Sequence, residues 1–152
     1  MPRPVPTDLD TLEALFVDAI QRIEPRHVRD PEQARWRHDP RRRQPGACAR
    51  VFRLVWDADF ETPEGVIFPM MVDTTVPLIV EADYGGVPDQ VSTKVADSDS
   101  SQLRETLHAL QHITPGLITV RKDDPPWEYG TENQGDQAQI RHRLLVRYWK
   151  QR

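Results

Sequence analysis

The chain has a single cysteine, Cys48, in 152 residues, so no intrachain disulfide can form. A lone cysteine in an apolar run reads as a small buried hydrophobe rather than a reactive thiol, and a reducing cytoplasm is its simplest compartment. Long hydrophobic runs are missing as well. The N-terminus, Met1-Pro2-Arg3-Pro4-Val5-Pro6, lacks the apolar core of a signal peptide. The longest apolar stretches are broken by Asp73, Thr74, Thr75 and Pro77, far short of a bilayer span, so no membrane partner is expected. Glycine is sparse, and Gly85-Gly86 has neither the dense pattern nor the following Lys-Ser or Lys-Thr of a phosphate loop. No serine has nucleophile-elbow context.

Metal chemistry is equally thin. One cysteine cannot build a structural zinc site. His27 and His38 sit among arginines, which disfavour a cation, and His108 and His112, four apart on one helical face, have no carboxylate within the next turn. Asp97 and Asp99 read as helix-capping residues, and Asp123-Asp124 before Pro125 as a turn. The expectation is a protein that is not an enzyme, with no catalytic residue, no metal site and no cofactor.

What is present is a set of periodic apolar blocks separated by proline-rich loops, with 14 prolines in all. The length suits one domain over residues 1–152. Leu9, Leu12, Phe16, Ile20 and Ile23 recur at helical spacing and predict a helix over 8–24, capped by Thr7 or Asp8 and stopped by Pro25. Residues 25–47 form an Arg/Pro-rich connector with room for a short helix around Glu32–Arg37. Residues 48–57 alternate as a strand, with Phe52, Leu54 and Trp56 inward, Arg50 at the rim, and Val51, Arg53 and Val55 on the other face. After a loop over 58–65, a long strand is expected over 66–84. Met70, Val72, Val76, Leu78, Val80 and Ala82 line one face and Asp73, Thr75 and Glu81 the other. Pro69 and Pro77 require that strand to be bent or to lie at an edge there.

A polar loop over 87–98 leads to a second helix from Ser98 or Asp99, with Asp99 and Gln102 at capping-box spacing. Leu103, Leu107, Leu110 and Ile113 form its stripe, and Gly116 terminates it. Strands over 117–121 and 139–149 flank a loop over 122–136. In the last strand Ile140, Leu144, Val146 and Tyr148 face in, His142 is packed and hydrogen-bonded among them, and Arg141, Arg143 and Arg147 face out. The order α-β-β-α-β-β predicts an α+β two-layer sandwich, with two helices on one face of a four-stranded, mostly antiparallel sheet. The polar face is left for a partner.

Charge is unevenly placed. The net charge is −4, yet the seven arginines between Arg26 and Arg43 face only Asp30, Glu32 and Asp39, so that segment is +4 and the remainder −8. Separation of sign favours contact between unlike surfaces. The candidate interface residues are Arg35, Trp36, Arg37, Arg41, Arg42 and Arg43 in the connector and Arg141, Arg143 and Arg147 on the last strand. A nucleic-acid-binding module using the same connector is the alternative reading, with Trp36 as a stacking residue.

Four blocks carry a family resemblance: the opening helix Leu9-Asp10-Thr11-Leu12-Glu13-Ala14-Leu15; the strands Val51-Phe52-Arg53-Leu54-Val55-Trp56 and Val76-Pro77-Leu78-Ile79-Val80 leading to Ala82-Asp83-Tyr84; the polar run Asp97-Ser98-Asp99-Ser100-Ser101-Gln102-Leu103; and the C-terminal strand Leu144-Leu145-Val146-Arg147-Tyr148. In order and character they resemble the tail-terminator and tail-completion proteins of long-tailed bacteriophages. The connector is longer and more basic than that family's pattern. The resemblance implies a structural protein of the virion tail or neck, assembled in the host cytoplasm. It implies a homohexameric ring that caps the tail tube and joins it to the head. Its partners would be other copies of itself, the tail tube protein and the head-tail connector or neck protein.

Overall fold

The structure is a computed structural model that describes residues 5–24, 35–39, 50–68, 70–84, 93–132 and 137–151. It is α+β, with helices α1 (Leu9–Gln21) and α2 (Thr93–Ala109) and strands β1 (Trp36–His38), β2 (Arg50–Trp56), β3 (Thr62–Phe68), β4 (Met71–Tyr84), β5 (Leu117–Glu132) and β6 (Gln137–Gln151). The six strands form one mixed sheet in the order β1-β2-β4-β6-β5, with β3 beside β4. Only the β1–β2 pair is parallel among these pairings.

α1 begins where expected. The Asp8 carboxylate accepts a hydrogen bond from the Thr11 N–H at 2.7 Å, satisfying an orphan donor of the first turn. Thr7 does something else: its N–H donates to the Trp149 carbonyl at 2.8 Å, tying the chain's start to the end of β6. Gly116 also meets this junction. It has φ +85°, and a Cβ there would stand 2.6 Å from the Val5 carbonyl oxygen.

Several expectations are corrected. The sheet has six strands rather than four, because β1 forms within the connector and the single strand expected over 66–84 is two strands, the first of them starting at Thr62. Thr62–Phe68, of which only 62–65 falls in the loop expected over 58–65, pairs with β4 as a hairpin. Met70 lies in the turn between them and is 64% exposed rather than inward. In place of the loop expected over 122–136, β5 continues through the prolines over 122–132, which lengthens that strand without adding one. The β5–β6 register moves from Lys122↔Leu144 to Trp127↔His142, so Pro125 and Pro126 fall in the irregularity between ladders, where no N–H is needed. The short helix around Glu32–Arg37 is replaced, over its described part, by β1. α2 starts at Thr93, so Asp99 lies inside the helix and is not its cap.

Pro77 sits in β4, an inner strand, and the reason it is tolerated is local. On one side β2 ends at Trp56↔Leu78 and β3 begins at Thr62↔Thr75, leaving Pro77 between the two ladders. There its carbonyl accepts from the Asp57 N–H at 2.9 Å, and no strand requires its missing N–H.

The core collects Leu12, Phe16 and Ile20 of α1, Leu103 and Leu107 of α2, and one face of the sheet: Trp36, Phe52, Leu54, Val76, Leu78, Val80, Leu144, Val146 and Tyr148. Charge is buried in it too. Arg50, expected at the rim, is 4% exposed, and its Nε donates to Asp99 Oδ2 at 3.0 Å. The guanidinium lies 5.8 Å from the centroid of the Trp36 ring, so one cation joins β1, β2 and α2. His142 is inward and 1% exposed, as expected, but neither ring nitrogen has a hydrogen-bond partner among the described residues. Burial, with the charge of Arg104 behind it, pushes its pKa down to about 4, so the ring is neutral at pH 7.

The outer edge of β5 is covered at Val120 by side chains. Its N–H donates to Gln111 Oε1 at 3.2 Å, and its carbonyl pairs with His108 Nδ1 at 2.9 Å. The Gln111 amide nitrogen then lies 3.5 Å from His108 Nε2 and 3.4 Å from His112 Nε2. The two histidines, both exposed, thereby help close a sheet edge.

Candidate interface

Strand register decides which charges meet on the sheet face opposite the core. The pairs Arg53↔Glu81↔Arg141, Val55↔Ile79↔Arg143 and Thr75↔Arg147 lie in rows across β2, β4 and β6. Arg37 on β1 and Arg121 on β5 extend the same face to both outer strands, through Arg37↔Val51 and Arg121↔Leu145.

The acids of this face are sunk and the bases lie over them. Arg53 Nε donates to Glu81 Oε2 at 2.7 Å, and Arg141 Nη2 approaches Glu81 Oε1 at 3.4 Å from the other side. Arg147 grips Asp73 with both Nε and Nη2, the Nε contact being 2.7 Å. The side chains of Asp73 and Glu81 are 3% and 8% exposed, whereas those of Arg53, Arg141 and Arg147 are 37%, 40% and 42% exposed. Each arginine is thus oriented from below by a fixed carboxylate and presents its remaining surface outward. With Arg121 and Arg143 included, five arginines on this face outnumber its carboxylates Asp73 and Glu81 and, next along β5, Asp123, leaving this area cationic.

The structure therefore brings together Arg141, Arg143 and Arg147 and adds Arg37 of the connector. It does not bring Trp36 to them. That indole is 1% exposed and packs edge-on against Phe52 with centroids 6.2 Å apart, so it is a core residue. Arg35 is half-buried and precedes β1. Arg41, Arg42 and Arg43 lie outside the described residues. Arg53 and Arg121 were not singled out, although Arg53 alternates with Val51 and Val55 and was legible as outward from that spacing.

At the β6 end, Tyr148 is buried and its hydroxyl donates to Glu61 Oε2 at 3.4 Å, while Lys150 pairs with Glu61 from the other side. Burial and the Glu61 charge raise the phenol's pKa, so it stays protonated. Among the described residues no three His, Cys, Asp or Glu side chains converge as a metal site, and no helix is long and apolar enough to cross a membrane. No protein-family model matches the chain, and no curated protein sequence matches it.

Proposed function

We propose that this chain is a structural assembly protein, a tail terminator whose copies form a ring that caps a phage tail tube and joins it to the head. The observation that carries this reading is the arginine-covered sheet face, where buried carboxylates hold Arg53, Arg141 and Arg147 in place. Both helices are read as lying on the core side, which leaves this face to a partner. Rigid, half-exposed arginines suit protein contacts, because little side-chain freedom is lost when an acidic surface arrives. Such a surface is at hand in a neighbouring copy, since the chain outside Arg26–Arg43 has a net charge of −8. Contact between unlike surfaces of identical chains is heterologous, and it closes into a ring when the rotation permits. The remaining partners are the tail tube protein and a neck protein, at the tail or neck of the virion.

Cross-linking of assembled particles tests this reading. The expected result is a ladder of products ending at a hexamer, with the ring stable on the tail end even where the dilute protein is monomeric. One copy per particle would rule the reading out.

A further inference from the structure

We propose that the pocket beside the edge of β5 is a binding site for a phosphate-class oxyanion. The pocket has a volume of about 400 Å³ and lies where β4, β6 and β5 meet the end of α2. Its polar lining is Thr75, Arg147, Thr119, Arg121, His108 and Gln111, with no carboxylate among them. Every one of these side chains carries a hydrogen-bond donor.

Three of them are already oriented. Arg147 is held by both oxygens of Asp73. The Gln111 carbonyl accepts from the Val120 N–H, which turns its NH2 end away from the strand. His108 is fixed through Nδ1 on the Val120 carbonyl. Arg121 is exposed and forms no ion pair with any described residue, so its charge is available. Thr75 is the independent sign. It is 7% exposed, and its hydroxyl has no hydrogen-bond partner among the described residues. A buried hydroxyl left without a partner beside a donor-lined pocket is accounted for by an acceptor that belongs there.

The donor set selects the ligand class. A carboxylate offers two oxygens, whereas a phosphate brings three strong acceptor oxygens and nearly two negative charges. Two guanidinium groups and two hydroxyls suit the second. The group can arrive as free phosphate or as a phosphate monoester such as the terminal phosphate of a nucleotide, and the site does not depend on whether the chain forms a ring.

The test is titration of inorganic phosphate into the isotopically labelled full chain at constant ionic strength, followed by amide shifts. Saturable shifts at Val120, Arg121 and Gln111 are expected, with a dissociation constant on the order of 1 mM or tighter. Arg121→Ala should weaken binding roughly tenfold or more, the loss of a charge-assisted hydrogen bond. Thr75→Val, which keeps the shape and removes the hydroxyl, should also weaken it. Arg22→Ala, which removes the same charge at the exposed end of α1, should leave it unchanged. Thymidine 5′-monophosphate that moves the same amides and is displaced by phosphate identifies a phosphate monoester as the source; if it leaves them unmoved, the source is free phosphate. Shifts that stay linear to about 10 mM phosphate, or equal weakening by Arg22→Ala and Arg121→Ala, overturn the assignment.

Discussion

Arg50 and Asp99 are 49 residues apart in sequence and meet inside the core. Removing one partner of such a pair leaves the other charge buried and uncompensated, so Asp99→Ala is expected to lower unfolding free energy by about 3–5 kcal/mol, measurable by urea denaturation. His142 poses the opposite problem, a group that must not gain charge. Its folded pKa of about 4 lies below the ordinary 6.5, so the unfolded chain takes up the proton first. Its contribution is therefore intact above pH 6.5 and lost as pH falls toward 4, by about 3 kcal/mol in full. The stability difference between the protein and a His142→Gln variant, followed across that window, isolates the effect. Inward placement of His142 was legible from its alternation with Leu144 and Val146. The burial of Arg50 was not, since a charged residue at a strand's start reads as rim until its acid partner is known.

At the scale of elements, alternation revealed β2, β6 and the faces of β4, and helical spacing revealed α1 and most of α2. Turn residues misled where they were absorbed into irregular ladders: Pro125-Pro126 in β5 and Pro63 with Gly65 in β3, the latter also at a register shift. The start of α2 was missed because the polar run Asp97–Ser101 resembles a cap, while the structure carries the helix through it. Gly116, expected to terminate α2, lies beyond the helix end at Ala109 and instead marks the point where Val5 and Thr7 press on the start of β5. Gly116→Ala meets both the positive φ and the Val5 carbonyl, and should cost about 1–3 kcal/mol in thermal or urea unfolding. Arg147→Ala strands the buried Asp73 carboxylate. Arg147 is half-exposed, so a smaller loss of about 1–3 kcal/mol is expected by the same measurement.

For the whole molecule, the interface candidates separate by position. Arg143→Glu reverses charge in the middle of the arginine face, opposite Ile79, and is expected to leave the fold intact while abolishing assembly, as read by sedimentation of the variant with its partners. Neutralising Arg41, Arg42 and Arg43 together should change stability by no more than about 0.5 kcal/mol each if they are surface residues, and impair assembly. A triple variant that assembles normally would remove the connector from the interface.

β4 is the strand against which the others are measured. It is bordered by β6 along its whole length and by β2 and β3 in succession on its other side. Its two kinds of neighbour differ in how far the chain must travel to meet them. β3 is one turn away, but β6 returns only after α2 and β5. Hairpins β3–β4 and β5–β6 can each close locally, whereas joining them requires closing a loop of some fifty residues between Tyr84 and Ala138, a slow step of the kind that distant pairings impose. The rate of refolding should therefore be governed by the β4–β6 seam. Amide protons along Val76–Val80 and Leu144–Val146 should be the last to exchange with deuterated solvent, opening only when the entire chain unfolds.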